Sequence, residues 1–457
     1  MPKTSKARMQ AAMSRQTLDR VPAMCQLSLG HYMLNSDWSP AEVWHRSEAF
    51  ADALITLAHR YRFDGLLVNM PGHRPDWDAE IKSLRDEHGG QRILWQDGSE
   101  TWCPPDDSAH NFRRHPQTGE LVRDIALRMP IDEIDIRRLI YETPHGNGGL
   151  KYPYHYPGID SVPIQPDNPD SWIPDYEFRT IDLCVAAVGD ELSVHGEIFS
   201  PFTQFMELLG YENAMMALLE QPEKCRAILQ RYAEVSIEYA RRMCARDIHA
   251  LLVSSAFAGA GFISTRMYRK FVLPAEQAVV QRIKAEFPDV FLYVHTCGAI
   301  GDRLDLMVEA GYEGIDTLDP PPLGTVELEE AKRKLAGRAF IKGNIDSVNT
   351  LLRGEDAAVE ADLCRRLEWG APGGGYILST ACSVAPHVSP ERLKQLAPLC
   401  EQCGRYDTPA SIPEQIAAHR AAAADAAAAA PAAAAGGPAA AMDAGSLPQA
   451  GRGGTAC

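Results

Sequence analysis

Phe291-Leu-Tyr-Val-His-Thr-Cys-Gly298 is the stretch on which the fold turns. Its first four residues are apolar, β-branched or aromatic, and the run is too short for a helix. It reads as a strand buried on both faces, as in a parallel sheet. The strand ends in His295-Thr-Cys297. A second run of the same kind, Gly375-Tyr-Ile-Leu-Ser379, is followed shortly by Cys382. If both strands point the same way, the three side chains converge on one rim. Two thiolates and an imidazole there make a three-ligand zinc site with an open fourth position, an arrangement that suits catalysis better than structure. Thiolate-rich ligation matches a thiol substrate, which deprotonates on such a metal and becomes a nucleophile near neutral pH. For either cysteine alone, a buried structural thiol is the commoner reading.

Outward from that stretch, six more short apolar runs occur at 21–26, 65–69, 192–197, 250–254, 314–318 and 339–341. Apolar positions at helical spacing fill most intervals, notably 41–62, 206–219, 222–245, 266–287, 300–310, 328–335 and 357–369. Eight strands alternating with helices imply an α/β fold, a (β/α)8 TIM barrel over residues 20–407. Residues 1–19 form an N-terminal extension. An open doubly wound sheet is the runner-up, but no Gly-x-Gly-x-x-Gly follows a strand.

Two segments break the rhythm. Residues 71–182 are a long insertion after the second strand, rich in Pro, Asp and His, with Trp77, Trp95, Trp102 and Trp172. Within it, Ile-Leu-Trp-Gln-Asp-Gly-Ser-Glu-Thr-Trp (93–102) predicts a hairpin turning at Asp97-Gly98. An insertion there sits near the C-terminal mouth of a barrel, as a lid or as a packing arm. The second segment is a low-complexity tail, 408–457, nearly all Ala, Gly and Pro beyond 417. It shows no apolar face to dock and reads as disordered.

Lys and Arg number 45 against 61 Asp and Glu, a formal net charge of −16, and no basic block occurs. Nucleic acid and anionic membranes are therefore poor partners. No apolar run is long enough to span a bilayer, and no apolar core follows the basic N-terminus. Eleven cysteines without regular spacing suit a reducing compartment, so a cytoplasmic protein is expected. Cys400-Glu-Gln-Cys403 has no second pair and reads as incidental.

Read in order, Val294-His-Thr-Cys-Gly298, Gly343-Asn-Ile-Asp346, Gly373-Gly-Gly-Tyr-Ile-Leu-Ser379 and Ala381-Cys-Ser-Val-Ala-Pro386 resemble the uroporphyrinogen decarboxylase superfamily. Gly196-Glu-Ile-Phe-Ser-Pro-Phe202 resembles its third-strand region. Within the superfamily the chain looks most like the zinc-dependent methyltransferases that pass a methyl group from a corrinoid to a thiol, of the methylcobalamin:coenzyme M kind. That resemblance implies zinc on His295, Cys297 and Cys382, a small-molecule thiol acceptor, and a methyl donor that is a corrinoid or a methylated small molecule. No Asp-x-His-x-x-Gly cobalamin motif occurs here, so a corrinoid would arrive free or on a partner corrinoid protein.

The departures are informative. True uroporphyrinogen decarboxylases carry an arginine-rich segment after the first strand and a catalytic aspartate after the second. Here those regions read Leu27-Ser-Leu-Gly-His-Tyr-Met33 and Leu67-Val-Asn-Met-Pro71, with Asn69 where the aspartate is expected. A decarboxylase or lyase acting on a porphyrin-like or aromatic acid is the alternative activity. The spacing is also similar to the zinc site of cobalamin-independent methionine synthase, in which a carboxylate between the cysteines is a switchable ligand. Asp319 stands where such a ligand would come.

Further candidates lie at the presumed mouth. Glu197 ends a strand and is an alternative ligand, a substrate contact or a salt-bridged rim residue. Asn344 and Asp346 follow the seventh strand and either shape the substrate pocket with Asn69 or cap a loop. His31 is a further pocket candidate, against the commoner reading of a satisfied core histidine.

Overall fold

A computed structural model describes residues 3–115, 117–123, 130–140 and 173–429. Seven of the eight apolar runs form strands of one parallel sheet. These are β1 (Gly65–Val68), β7 (Ser193–Phe199), β8 (Ala250–Ser254), β9 (Phe291–His295), β10 (Gly314–Thr317), β11 (Phe340–Ile345) and β12 (Tyr376–Thr380). They neighbour one another in that order. Five further strands between β1 and β7 belong to the insertion. All seven runs are buried on both faces because helices cover the outside and the sheet curls on itself, in the manner of a TIM barrel.

The run at 21–26 is the exception. It makes isolated parallel bridges, Ala23 to Leu378 and Leu27 to Val384, without becoming a regular strand. The Leu378 amide donates to the Pro22 carbonyl at 2.9 Å, and the Asp64 amide to the Ala23 carbonyl at 2.8 Å. The segment thus touches β12 on one side and the start of β1 on the other. Pro22 has no amide to give to a ladder, which accounts for the irregularity.

Helix starts are written locally. Ser200 accepts the Thr203 amide at 3.0 Å, with Pro201 in the first turn, immediately after β7. Ser39 and Glu42 form a capping box ahead of helix Pro40–His45. The strands' two faces feed two apolar layers. An inner cluster holds Met24, Leu67, Ala250, Leu252, Tyr293, Phe340 and Ile377. Its floor is sealed by Met9, Ala12 and Met13, so helix Ser5–Met13 plugs the N-terminal end of the sheet. The outer cluster packs strands against helices.

The insertion carries an antiparallel meander of β2 (Ile81–Glu87), β3 (Gly90–Trp95), β4 (Glu100–Cys103), β5 (His110–Arg114) and β6 (Leu121–Arg123). The expected hairpin is β3–β4. Gly98 sits at φ +81°, and the Ser99 amide donates to Asp97 Oδ1 at 2.9 Å. The meander has no separate core: Trp77, Ile93, Trp95 and Cys103 join the outer cluster alongside Trp44. His45 stacks on Trp77 with ring centroids 4.7 Å apart. Trp172 lies outside the described residues.

The segment 408–457 is in part helical, and its buried residues Ile412, Gln415 and Ile416 precede the Ala-rich stretch from about 417 that reads as disordered. Helix Ile412–Ala429 forms and docks by its first two turns. Ile412 and Ile416, four residues apart, are buried, and Gln415 bonds to the Arg405 backbone in both directions. His419 meets Glu360 at 2.7 Å. Ser411 and Glu414 form a capping box whose pattern is present in the sequence. The Ala-rich composition hid one short apolar face. Residues 430–457 lie outside the described residues.

Candidate metal centre

His295 is the last residue of β9, Cys297 lies two residues on, and Cys382 lies two past β12. Strands β10 and β11 separate β9 from β12, so the curl of the sheet is what brings Cys382 across. The Nε2 of His295 is 3.3 Å from Cys297 Sγ and 3.9 Å from Cys382 Sγ. The three ligand atoms all lie within 4.8 Å of one another. Among the described residues this is the sole group of three or more His, Cys, Asp or Glu side chains so placed.

The other imidazole nitrogen is held from below. His295 Nδ1 lies 2.8 Å from Asp316 Oδ2, and Asp316 Oδ1 accepts from Lys342 Nζ at 2.9 Å. The register explains it: His295, Asp316 and Lys342 are paired neighbours on β9, β10 and β11. Thr317 Oγ1 also reaches Nδ1 at 2.8 Å, from a backbone with φ +78°. A β-branched residue there is uncommon and strained. An Nδ1–H donated to Asp316 leaves Nε2 as the lone pair facing both sulfurs, as metal-ligating histidines are arranged.

The electrostatics fit a cation. Burial alone would push the His295 imidazole down, but its bond to Asp316 and the Cys382 thiol beside it push it up to about 10. The space between Nε2 and the sulfurs thus attracts positive charge. Burial raises Asp316, but the Lys342 charge and the His295 bond hold it below the usual carboxylate range. Two thiols, an imidazole whose Nε2 faces them and a field that favours a cation, a proton there or a metal in its place, are what a soft-ligand zinc site needs.

The carboxylate candidates stand nearby. Burial pushes Glu197 up to about 7, against the opposing His295 charge and a bond to Ser254. Burial likewise raises Asp319 to about 6, opposed by the Gly298 amide. Asp319 Oδ2 accepts that amide at 2.6 Å and so pins the turn next to Cys297. It lies outside the three-ligand group. Asn69 is buried, and its Oδ1 has no hydrogen-bond partner among the described residues. His31 is fully buried with both ring nitrogens occupied, by the Pro386 carbonyl at 3.1 Å and the Tyr61 hydroxyl at 2.8 Å. Asn344 donates to the Leu318 carbonyl at 2.8 Å and accepts from Arg366 at 3.1 Å. Asp346 caps the turn behind it, accepting the Val348 and Asn349 amides. These three side chains are committed to holding loops and core together.

Sequence reading passed over Asp316, Thr317 and Lys342. Their signal was an acid in the run Gly314-Ile-Asp-Thr-Leu318 and a lysine inside Phe340-Ile-Lys-Gly343, charges where a buried strand should have none. A cavity of about 480 Å³ lies at the other end of the sheet, bordered by Lys6, Ser193, His249 and Phe291, and does not include the triad. The donor chemistry, not the cavity size, marks the site.

Fold and site together define a TIM-barrel-like α/β protein with a soft-donor cluster at the C-terminal ends of its strands. Residues 159–403, more than half of the chain, match the uroporphyrinogen decarboxylase (URO-D) family, and the chain belongs to that family. Its relatives include the methylcobamide:CoM methyltransferase MtaA of Methanosarcina barkeri, 26% identical over 219 residues, covering 48% of this chain and 61% of the relative. They also include the uroporphyrinogen decarboxylase of Saccharopolyspora erythraea, 28% identical over 194 residues, covering 42% and 52%. The chain therefore matches between about half and three fifths of the length of these relatives. Among solved structures, a methyltransferase from Methanosarcina mazei shares the fold at a TM-score of 0.59 and 16% identity, covering 86% of this chain and 97% of that one. No helix among the described residues is long and apolar enough to cross a membrane.

Proposed function

We propose that this protein is a zinc-dependent methyltransferase that moves a methyl group, from a corrinoid or a methylated small molecule, to a thiol. The observation that carries the reading is the convergence of His295 Nε2, Cys297 Sγ and Cys382 Sγ above a buried Asp316–Lys342 pair. Zinc bound there would supply Lewis acidity that keeps an acceptor thiol ionised at neutral pH, where a free thiol near pKa ~8.5 is only a few per cent thiolate. The chain's own residues do the rest. Asp316 fixes the imidazole tautomer and orientation, and Lys342 fixes Asp316. Asp319 holds the Gly298 amide and with it the loop bearing Cys297. Glu197, facing into the sheet from β7, is read as the contact for the acceptor.

The 71–182 insertion is read here as the element that shields the site. Its Asp106 meets His387, on the loop that carries Cys382, at 2.8 Å, and packs against Gly30 of helix Leu29–Asn35. With residues 20–27 as an eighth stave, the sheet is read as a closed (β/α)8 barrel. A corrinoid protein would dock at its C-terminal mouth, in the cytoplasm. The test is an assay of the zinc-loaded protein with methylcobalamin and a thiol panel, beside uroporphyrinogen. Zinc-dependent loss of methylcobalamin with thioether formation is expected. Activity that survives complete zinc removal, or turnover of the porphyrinogen alone, refutes the reading in favour of a decarboxylase.

A further inference from the structure

Three buried side chains on neighbouring staves end in oxygens that have no hydrogen-bond partner among the described residues. They are Gln26 Oε1, Asn69 Oδ1 and Glu197 Oε2. Their residues are 6%, 3% and 4% exposed. Strand alternation places them inside the sheet. Met24 and Leu67 belong to the inner cluster, so Gln26 and Asn69, each two residues on, share that face. On β7 a Cβ at Gly196 would meet Met243 and Ile181 of the outer helices, so Gly196 faces out and Glu197 faces in. Val68 pairs with Gly196, which sets Asn69 and Glu197 at one level. Residues 20–27, β1 and β7 are consecutive round the sheet, so the three side chains form one arc. On β7, β8 and β9 the residues Phe199, Ser254 and His295 share one level, so Glu197 lies two residues below His295 and two strands away, beside the metal centre.

Leaving a buried polar atom without a partner costs on the order of 1–3 kcal/mol. Three in one arc make a surface built for an occupant that supplies hydrogen bonds. The same arc offers no cation. Among the described residues, the buried Arg20, Arg303, Lys342 and Arg366 are each paired with a carboxylate, Asp64, Asp302, Asp316 and Asp362, and the fifth buried cation, Arg113, lies on β5 of the insertion. Two neutral carboxamides and one carboxyl group disfavour a buried anion and welcome hydroxyl or ammonium donors.

We propose, resting on the thiol-methylation reading above, that Gln26, Asn69 and Glu197 recognise the tail of the acceptor thiol. The tail they select is a neutral or cationic hydrogen-bond donor, not a carboxylate, sulfonate or phosphate. Asn69 and Glu197 become specificity-determining residues, and Gln26 joins them.

The test is calorimetric titration of the zinc-loaded full chain with cysteamine, 2-mercaptoethanol, 3-mercaptopropionate and 2-mercaptoethanesulfonate. Zinc-edge X-ray absorption on the same samples reports whether each adds a Zn–S bond. The donor-bearing thiols should bind about tenfold or more tighter than the anionic ones, a difference of about 1.4 kcal/mol. Asn69→Leu and Glu197→Gln should each remove most of that preference while zinc content stays at the wild-type level. Comparing variant with wild type for each thiol cancels its intrinsic acidity, and Glu197→Gln keeps the side-chain volume should Asn69→Leu misfold. Anionic thiols that add a Zn–S bond and bind as tightly would overturn the tail assignment and leave thiol activation standing. An unchanged preference in both variants would also overturn it, leaving the arc to ordered water. If no thiol adds a Zn–S bond, thiol activation itself fails and the assignment falls with it.

Discussion

Asp316 Oδ2 lies 2.8 Å from His295 Nδ1 while its other oxygen takes the Lys342 ammonium at 2.9 Å, all within the buried interior of the sheet. By holding Nδ1, one carboxylate thus turns the Nε2 of one neighbour toward the sulfurs, and it neutralises the other neighbour. Replacing Asp316 by Asn weakens the hold on the imidazole and leaves Lys342 unpaired. Zinc affinity, read by chelator competition, should fall about 10–100-fold. Stability should fall by about 3 kcal/mol for the orphaned lysine, and Lys342→Met in the same chain should restore much of that but not the affinity. Affinity unchanged in Asp316→Asn would show that the imidazole is held by Thr317 instead.

Cys297→Ala and Cys382→Ala should each strip the metal and leave the fold intact. Both side chains stand at the rim, partly exposed, outside the apolar clusters that hold the sheet together. Metal analysis of the purified variants and circular dichroism of the metal-free proteins check this. In the wild type, X-ray absorption should show Zn–S distances of about 2.3 Å and Zn–N of about 2.0–2.1 Å. Full zinc occupancy in either variant contradicts the ligand set.

Glu276 lies apart from the ligands, on helix Leu273–Glu286, with Oε1 accepting from Ser255 and Oε2 from Tyr268. Burial pushes its carboxyl from the ordinary 4.5 up to about 7, against those hydrogen bonds. The folded state therefore keeps a proton that the unfolded state has released. The stabilisation is full below about pH 4.5 and is lost as pH rises through 7, on the order of 3 kcal/mol in all. Chemical denaturation of metal-free protein between pH 4.5 and 8 should show Glu276→Gln flattening this part of the profile. Identical slopes for both proteins would mean that Glu276 titrates normally.

The docked face of the C-terminal helix gives a sharper contrast. Ile416 is 2% exposed, whereas Ala423 is exposed. Ile416→Ala should lower stability by about 2 kcal/mol or more, and Ala423→Ser should stay within about 0.5 kcal/mol. Denaturant midpoints measure both. Equal midpoints for wild type and Ile416→Ala would return this segment to the unstructured tail that its composition suggests.

Local chemistry made much of the protein legible in its sequence. The runs that became β7 to β12 carry continuous apolar residues because parallel strands are buried on both faces, and a strand's identity survives without knowledge of its neighbours. The β3–β4 turn was readable because Asp97-Gly98 supplies its own backbone geometry. His295 and Cys297 could be paired because they are two residues apart. Tertiary structure alone decided the rest. Cys382 reaches the imidazole only because the sheet curls through β10 and β11. Asp316 and Lys342 are tolerable in buried strands only because the register sets them side by side, with His295 on the other flank. Gln26, Asn69 and Glu197 are far apart in the chain and share the inner face of the sheet because their strands are neighbours. The Ala-rich helix is ordered because Ile412 and Ile416 find a surface that its composition does not announce. Short-range physics writes strands, turns and caps into adjacent residues. Desolvation, ion pairing and the convergence of His295 with the two cysteines depend on who sits opposite, and only the curled sheet settles that.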